Sequence, residues 1–558
     1  MFPLNASNFL DIYSNGMLYI YVGISIANGI LLFFASLKFL LVLQQCGYHG
    51  TRYFKWLGNR ETPYLSRLML LSMLGLLFFM VLNMCFIPVL GTELSSFVGF
   101  VSYILFTVLY IDSEKNVNAK MPLKKTKRIV RLSITYCIEL SIFTFAFMAL
   151  MNFLALAIGD EVFAVLRLAI ICIMPLCLPV FLFVAYCTNE LMEFIIQRRY
   201  TKRATNKLKR HDIIKIGITG SYGKTSIKEI LKTILSQKYR VLATPESYNT
   251  PLGISLTVNK LDGTHDVFIA EMGARNRGDI KELSLMVNPQ YGVLTGINNQ
   301  HLETFRTEEN IKNTKYELFE NLAPNGVGFF SSDNDGAGEL HDRFGGKKYY
   351  AGLSDKENVV TATDIKTTTH GTEFLLNIKG EKSVNCSTVL LGKHSISNIC
   401  LAASVAHEIG MTAEEIAAGI NRIQSIGHRL ELVPNNKNIV IIDNSYNLSE
   451  SGISACMEVL DMFEGRKIVL TPGLVELGIK ENLANFEFGK VLAKHADKVI
   501  IIGTHNAEML IGGLLEEGFK KENITFAKTL KKGNEELNLI MKEGDVVLFA
   551  NDLPDNYN

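Results

Sequence analysis

Apolar residues dominate roughly the first third of the chain in long runs, and polar positions break them only at short intervals. Five runs approach the roughly 20 residues that a helix needs to cross a bilayer. They lie near 17–43, 67–90, 95–111, 132–159 and 161–187. The third is the shortest, and only a tight turn at Gly159-Asp160 separates the last two. Past residue 211 the pattern changes to short β-rich strands and helical apolar stripes, the pattern of an α/β protein. The first run is too long for a cleaved signal peptide, and no basic cluster precedes it.

Charge sits in the gaps between runs. Arg52, Lys55 and Arg60 follow the first run. Lys115, Lys120, Lys124, Lys125, Lys127, Arg128 and Arg131 follow the third, and a third set from Arg198 to Arg210 follows the fifth. The other two gaps lack Lys and Arg. Five crossings put the three basic stretches on one side, the cytoplasm, with the N-terminus outside. The juxtamembrane run 191–211 reads equally as a solvated linker and as a contact for anionic membrane lipids. Lys38, Glu139 and Arg167 fall inside the expected spans, where charge is costly and often marks a site; Lys38 and Arg167 are near enough to span ends to snorkel.

A chain of 558 residues exceeds a single core. The net charge of +1 gives no sign of a bulk nucleic-acid partner. The nine cysteines form no Cys-x-x-Cys pair and read as small apolar residues in a reducing compartment.

The clearest chemistry follows the stretch Ile213 to Thr219, which reads as a strand. Gly220-Ser221-Tyr222-Gly223-Lys224-Thr225-Ser226 comes next, and then a helical stripe of Ile227, Ile230, Leu231, Ile234 and Leu235. Strand, glycine turn and helix form the context of a phosphate-binding loop. The glycines turn backbone N–H groups toward phosphate, and the helix N-terminus adds its dipole. Lys224 reaches the β/γ phosphates, and the Thr225 hydroxyl suits Mg²⁺. Ile218 stands where the usual pattern has its first glycine. Glu271 ends the strand in "DVFIAEMGA", and His301 follows the one in "YGVLTGINNQHLETF". Ligands gather at the carboxyl ends of parallel strands, so these side chains are expected around the loop as a Mg-ATP site.

In order along the chain stand "GITGSYGKTS", "YNTPLGISLTV", "EMGARNRGDI", "HLETFRTEENIKNTKYELF", "GKHSISNICLAA", "GHRLELV", "DNSYNLSESG" and "VELG". With these, residues 211–558 resemble the Mur ligase family, in particular its D-alanyl-D-alanine-adding branch. The resemblance implies ATP-driven joining of an amino acid or peptide to a carboxylate. It implies that Thr225 and Glu271 hold one Mg²⁺ and His301 a second, with Lys315 a carbamate-bearing metal ligand. Asn398 would contact adenine, Asp443 ribose and Arg429 the γ-phosphate. The chain also departs from the family. Membrane segments replace the UDP-sugar-binding domain, and Gly296 stands where the family tends to have Asn. His394-Ser395 replaces "HN", Asn444 an Asp, and Pro472-Gly473 part of "GDMLELG"; the usual "KGS" of the tail is missing. The ATP residues persist while the acceptor-facing ones change.

The expected architecture is therefore an α-helical membrane domain of five transmembrane helices followed by two α/β domains. These are a transmembrane domain at 1–190, a basic linker at 191–211, a central P-loop domain at 212–425 and a small doubly wound C-terminal domain at 426–558. The expected reaction is ATP-dependent, ADP-forming amide ligation at the cytoplasmic face of the plasma membrane, with ATP and two Mg²⁺ ions. It would join an amino acid or short peptide donor to a lipid-linked envelope glycan or its precursor. The alternatives are the peptidoglycan step on a soluble UDP-muramyl peptide, a poly-γ-glutamate-type synthase, and a non-catalytic ATP-binding scaffold.

Overall fold

The computed structural model describes residues 17–551, apart from 49, 59–62, 116–122, 159–168, 170, 247, 299–301, 355, 436–437, 447 and 476. The chain divides into two compact units, Met1–Ile196 and Gln197–Leu553.

The first unit is helical. Its long helices are α1 (Met17–Ala35), α2 (Pro63–Lys115), α3 (Lys127–Ile158) and α4 (Leu178–Arg210), the last running on past the unit's end. Four described helices are long and apolar enough to cross a membrane. The runs at 67–90 and 95–111, expected as two spans, are the two legs of α2. That helix is broken at Gly91, with φ 79° and ψ 171°. The chain doubles back there. Ser95 Oγ donates to Asn83 Oδ1 at 3.0 Å, Ser102 Oγ donates to the Gly75 carbonyl at 3.1 Å, and the Phe78 and Phe106 rings lie 5.4 Å apart. Gly99 permits the approach of the two legs, since a Cβ there would sit 2.9 Å from the Phe79 carbonyl oxygen. α2 is thus an antiparallel hairpin. The Gly159-Asp160 turn and Arg167 lie outside the described residues.

Several charged side chains of this unit are held by neighbours. Arg131 holds Glu193 through two bonds of 2.6 and 2.7 Å. Thr188 Oγ1 donates to Glu139 Oε1 at 2.7 Å, and Lys38 lies 3.5 Å from Glu114. These pairings place charge against a partner inside apolar helices, although Glu139 Oε2 and both Glu114 oxygens are buried without a hydrogen bond among the described residues.

The second unit holds two sheets. The larger contains β1 (Ile214–Thr219), β2 (Val241–Ala243), β3 (Val267–Glu271), β4 (Tyr291–Leu294), β5 (Val327–Ser331), β6 (Lys347–Ala351), β7 (Asn358–Thr368), β8 (Gly371–Ile378) and β9 (Val384–Thr388). Their spatial order is β2-β3-β1-β4-β5-β6-β7-β8-β9, parallel as far as β7 and antiparallel beyond it. Strand order reverses at β1, which has β3 on one side and β4 on the other. This makes the carboxyl end of β1 the crevice where an open α/β sheet takes its ligand. Both faces are covered: Ile216 and Ile218 join one core, Phe268, Ala270 and Leu294 the other. The apolar runs of these strands follow from that burial. The helices that matter for the site are α5 (Lys224–Leu235), α6 (Glu308–Glu320) and α7 (Lys393–Glu408).

The smaller sheet contains β10 (Glu431–Leu432), β11 (Val440–Asn444), β12 (Lys467–Thr471), β13 (Lys498–Ile502), β14 (Ile524–Ala527) and β15 (Val546–Ala550), ordered β10-β11-β15-β12-β13-β14. All but β10 are parallel. The sequence pattern places strands near 438–443, 466–471, 498–503 and 545–550, and these are β11, β12, β13 and β15. The loop after β12 is pinned by three buried asparagines. Asn485 takes the Leu474 N–H at 2.8 Å and returns a bond to its carbonyl at 3.0 Å. Asn506 donates to the same carbonyl at 2.9 Å, and Asn551 to the Gly473 carbonyl at 2.7 Å.

Candidate active site

The turn after β1 has the backbone that its glycines permit. Gly220 has φ 148°, and a Cβ on it would lie 2.0 Å from Thr295 Oγ1. Gly223 is left-handed at φ 75° and caps α5. A side chain at Gly220 would have to displace Thr295, whereas at Gly223 there is room for one and only the left-handed backbone favours glycine. Lys224 Nζ donates to the Gly220 carbonyl at 2.7 Å and the Ser221 carbonyl at 3.2 Å. Burial pulls the Lys224 ammonium down to about 8; Glu271 opposes that shift and Arg429 adds to it.

Glu271, at the end of β3, is the hub of the site. Its Oε2 accepts from Thr225 Oγ1 at 3.0 Å and from Lys228 Nζ at 3.2 Å, and its Oε1 accepts from Asn249 Nδ2 at 3.2 Å. Its own N–H is taken by Thr244 Oγ1 at 3.1 Å. Sequence reasoning missed Lys228, which is fully buried and also donates to the Glu246 carbonyl at 2.5 Å. Its signal was there: a lysine set inside the stripe of Ile227, Ile230 and Leu231.

Lys315 sits buried on α6 at 3 % exposure, beside Tyr316 and Thr314. Burial first, and then the nearby Lys224, push its amine down to about 7 against the pull of Asp279 and Glu317. A lysine lowered this far has a substantial neutral-amine fraction near neutral pH. The Arg429 guanidinium stacks 4.2 Å from the centre of the Tyr446 ring. His428 beside it has φ 60°.

A cleft of about 390 Å³ opens next to the loop, lined among others by Tyr222, Gly223, Ser226, Asn398, Arg429 and Tyr446. A second cavity of about 750 Å³ continues from Thr225, Arg429 and Tyr446 toward His428. The fold thus brings Gly220, Ser221, Gly223, Lys224, Thr225, Ser226, Glu271, Lys315, Asn398 and Arg429 around the end of β1. Asp443 is engaged elsewhere: its Oδ2 lies 2.7 Å from His428 Nδ1 and its Oδ1 takes the Ser445 N–H at 2.9 Å. The neighbouring Asn444 lines the cleft instead. His301 lies outside the described residues.

Among the described residues no cluster of three or more His, Cys, Asp or Glu side chains could hold a metal ion. The Thr225 hydroxyl and the Glu271 carboxylate nevertheless face one another at 3.0 Å beside the phosphate loop. Hydroxyl, carboxylate and phosphate oxygens are the donors a hard cation such as Mg²⁺ takes, and it keeps waters for the rest.

Residues 218–406 match the Mur ligase middle domain, and residues 428–551 match the Mur ligase glutamate ligase domain. The chain belongs to the Mur ligase family, whose members are ATP-dependent, ADP-forming amide ligases. It is 28% identical over 331 residues to the UDP-N-acetylmuramoyl-tripeptide--D-alanyl-D-alanine ligase of Escherichia coli K12, covering 59% of this chain and 73% of that one. MurF from Acinetobacter baumannii shares the fold with a TM-score of 0.59 at 23% identity, over 65% of this chain and 78% of that chain. The MurF ligase of Thermotoga maritima, solved in complex with ADP, aligns with a TM-score of 0.57 at 25% identity, over 64% of this chain and 80% of that chain.

Proposed function

We propose that this Mur ligase is a membrane protein that joins an amino acid or short peptide to a carboxylate on a lipid-linked envelope glycan or its precursor. The observation that carries the proposal is the pairing, in one chain, of four helices fit to cross a membrane with a ligase core. The envelope lipid is then an acceptor available at the membrane. The catalytic domains face the cytoplasm, where ATP is, and the N-terminus lies outside the plasma membrane.

The acceptor carboxylate attacks the γ-phosphate of ATP, giving an acyl phosphate and ADP. The donor amine then attacks the acyl carbon, and phosphate leaves. A carboxylate and a triphosphate repel each other, so the site must concentrate positive charge where they meet. The backbone amides from Gly220 to Ser226 cradle the phosphates. Lys224, whose depressed pKa rises again beside a triphosphate, and Arg429 supply fixed cations. Asn398 and the Tyr446 wall take the base, and Asp443 reaches the ribose through a rotamer change that releases His428. Thr225 and Glu271 would hold one Mg²⁺ and His301 a second, with a Lys315 carbamate as a further ligand, and the ions would add charge neutralisation.

A second reading, D-alanyl-D-alanine addition to a soluble UDP-linked muramyl peptide, is favoured by the activity named for the Escherichia coli relative. One assay separates the two. Purified full-length protein in detergent is given ATP, a panel of amino acids and D-alanyl-D-alanine, and either membrane lipid extract or UDP-muramyl tripeptide. Phosphate release that depends on lipid extract supports the first reading; release that depends on the soluble nucleotide sugar sinks it. Lys224→Ala should abolish turnover with either acceptor, and an active variant would remove the ATP site from the loop.

A further inference from the structure

The loop after β4 and the phosphate loop are fastened to each other along their length. The Ser221 N–H donates to the Gly296 carbonyl at 2.8 Å, and the Asn298 N–H donates to Ser221 Oγ at 3.2 Å. Thr295 Oγ1 donates to the Tyr222 carbonyl. Above this seam lies the Tyr222 ring, partly buried. A Cβ built on Gly296 would meet the Tyr222 hydroxyl oxygen and its ring carbon at 2.5 Å each. Gly296 has no left-handed backbone that would demand glycine, so its bareness has a packing reason: the tyrosine occupies the place of a side chain at 296.

The hydroxyl has a defined partner on one side only. Asn334 Oδ1 already accepts from the Ile297 N–H at 3.0 Å and the Ala337 N–H at 2.9 Å. Its Nδ2 donates to the Ile297 carbonyl at 3.0 Å, which leaves one amide hydrogen for Tyr222. The Tyr222 oxygen lies beside this side chain, within its reach. It therefore accepts from Asn334 and keeps its own hydrogen to give. The residue lines the cleft with Gly223, Thr295, Asp333 and Asn398.

We propose that Tyr222 is a substrate-positioning residue of the nucleotide site. Its ring fills the space over Gly296, and its hydroxyl donates a hydrogen bond to an oxygen of the bound nucleotide. The polar group that contacts the nucleotide at this point thus comes from the phosphate loop, and the loop after β4 contributes only backbone there. This rests on the reading of the loop as the ATP site.

The test uses the full-length protein in detergent and measures binding of a non-hydrolysable ATP analogue and the unfolding midpoint side by side. Tyr222→Phe keeps the ring and should weaken binding about threefold to tenfold, the range of one hydrogen bond, with an unchanged midpoint. Gly296→Asn should weaken binding by more than that, through the clash. Tyr222→Ser with Gly296→Asn should bind more tightly than Gly296→Asn alone, since the small residue makes room for the amide. Wild-type affinity in Tyr222→Phe, or a double variant no better than Gly296→Asn, overturns the proposal. Lys224→Ala is the control: if it also binds like wild type, the ATP-site reading itself has failed. If Lys224→Ala loses binding while the Tyr222 variants do not, only this inference falls.

Discussion

Lys228 Nζ lies 3.2 Å from Glu271 Oε2, and neither side chain is open to solvent. A buried ammonium holds the carboxylate that faces Thr225. It also ties α5 to the loop at Glu246 through a bond of 2.5 Å. Removing one member of such a pair strands the other charge in a dry site. Lys228→Met should therefore cost about 3–5 kcal/mol, read as a lowered unfolding midpoint. Pairing it with Glu271→Leu should cost less than the sum of the two single changes. Additive losses would show that the two residues act independently.

If Lys315 carries the proposed carbamate, activity should be sensitive to pH and carbon dioxide. Its amine titrates near 7, well below the ordinary lysine value of 10.5. The neutral amine that reacts with CO₂ therefore accumulates as pH rises through about 7. Initial rates should rise between pH 6 and pH 8 and should fall in buffer stripped of CO₂. Lys315→Ala should lose most turnover and regain part of it when a small carboxylic acid is added. A Lys315→Ala variant as active as wild type would remove the carbamate. The same depressed value acts on stability. Between about pH 7 and 10.5 the unfolded chain binds the proton that the folded chain lacks, so this group's contribution to stability rises with pH across that window.

Gly220→Ala places a methyl group 2.0 Å from Thr295 Oγ1 in a backbone of φ 148°. Nucleotide binding should fall at least about tenfold, because the methyl must push apart two loops that frame the phosphates. Adding Thr295→Ala relieves the contact but not the backbone strain, so recovery should be partial. Isothermal titration on the three variants separates the two causes.

The hairpin at Gly91 bears on orientation. With both legs of α2 crossing the bilayer, tags placed near Asn5 and Asn558 should report opposite sides of the membrane by protease protection. Both tags on the cytoplasmic side would show an even number of crossings, and α2 would then lie outside the bilayer in part.

Much of the candidate site's local geometry was legible from sequence because its cues are local. A β-rich run followed by Gly-Ser-Tyr-Gly-Lys-Thr-Ser can form few other structures, and β1 ends at Thr219 as that pattern requires. The doubly wound C-terminal strands were legible for the same reason, each being a short apolar run between polar turns. What was hidden depends on partners distant in the chain. Nothing near Lys228 announces Glu271, which is 43 residues away. Nothing near Asp443 announces that His428 turns back to meet it. The two legs of α2 were legible as two apolar runs, because the break falls at Gly91 in the gap between them.

The loop after β12 depends on Asn551, which lies 78 residues beyond the glycine it holds. During synthesis this part of the ligase core cannot be fastened until β15 has left the ribosome and paired. The two earlier asparagines can shape the loop, but the third makes it rigid only at the last step. A nascent chain would thus hold its phosphate loop before the loop after β12 is set, so nucleotide binding should mature ahead of ligation as the protein is made.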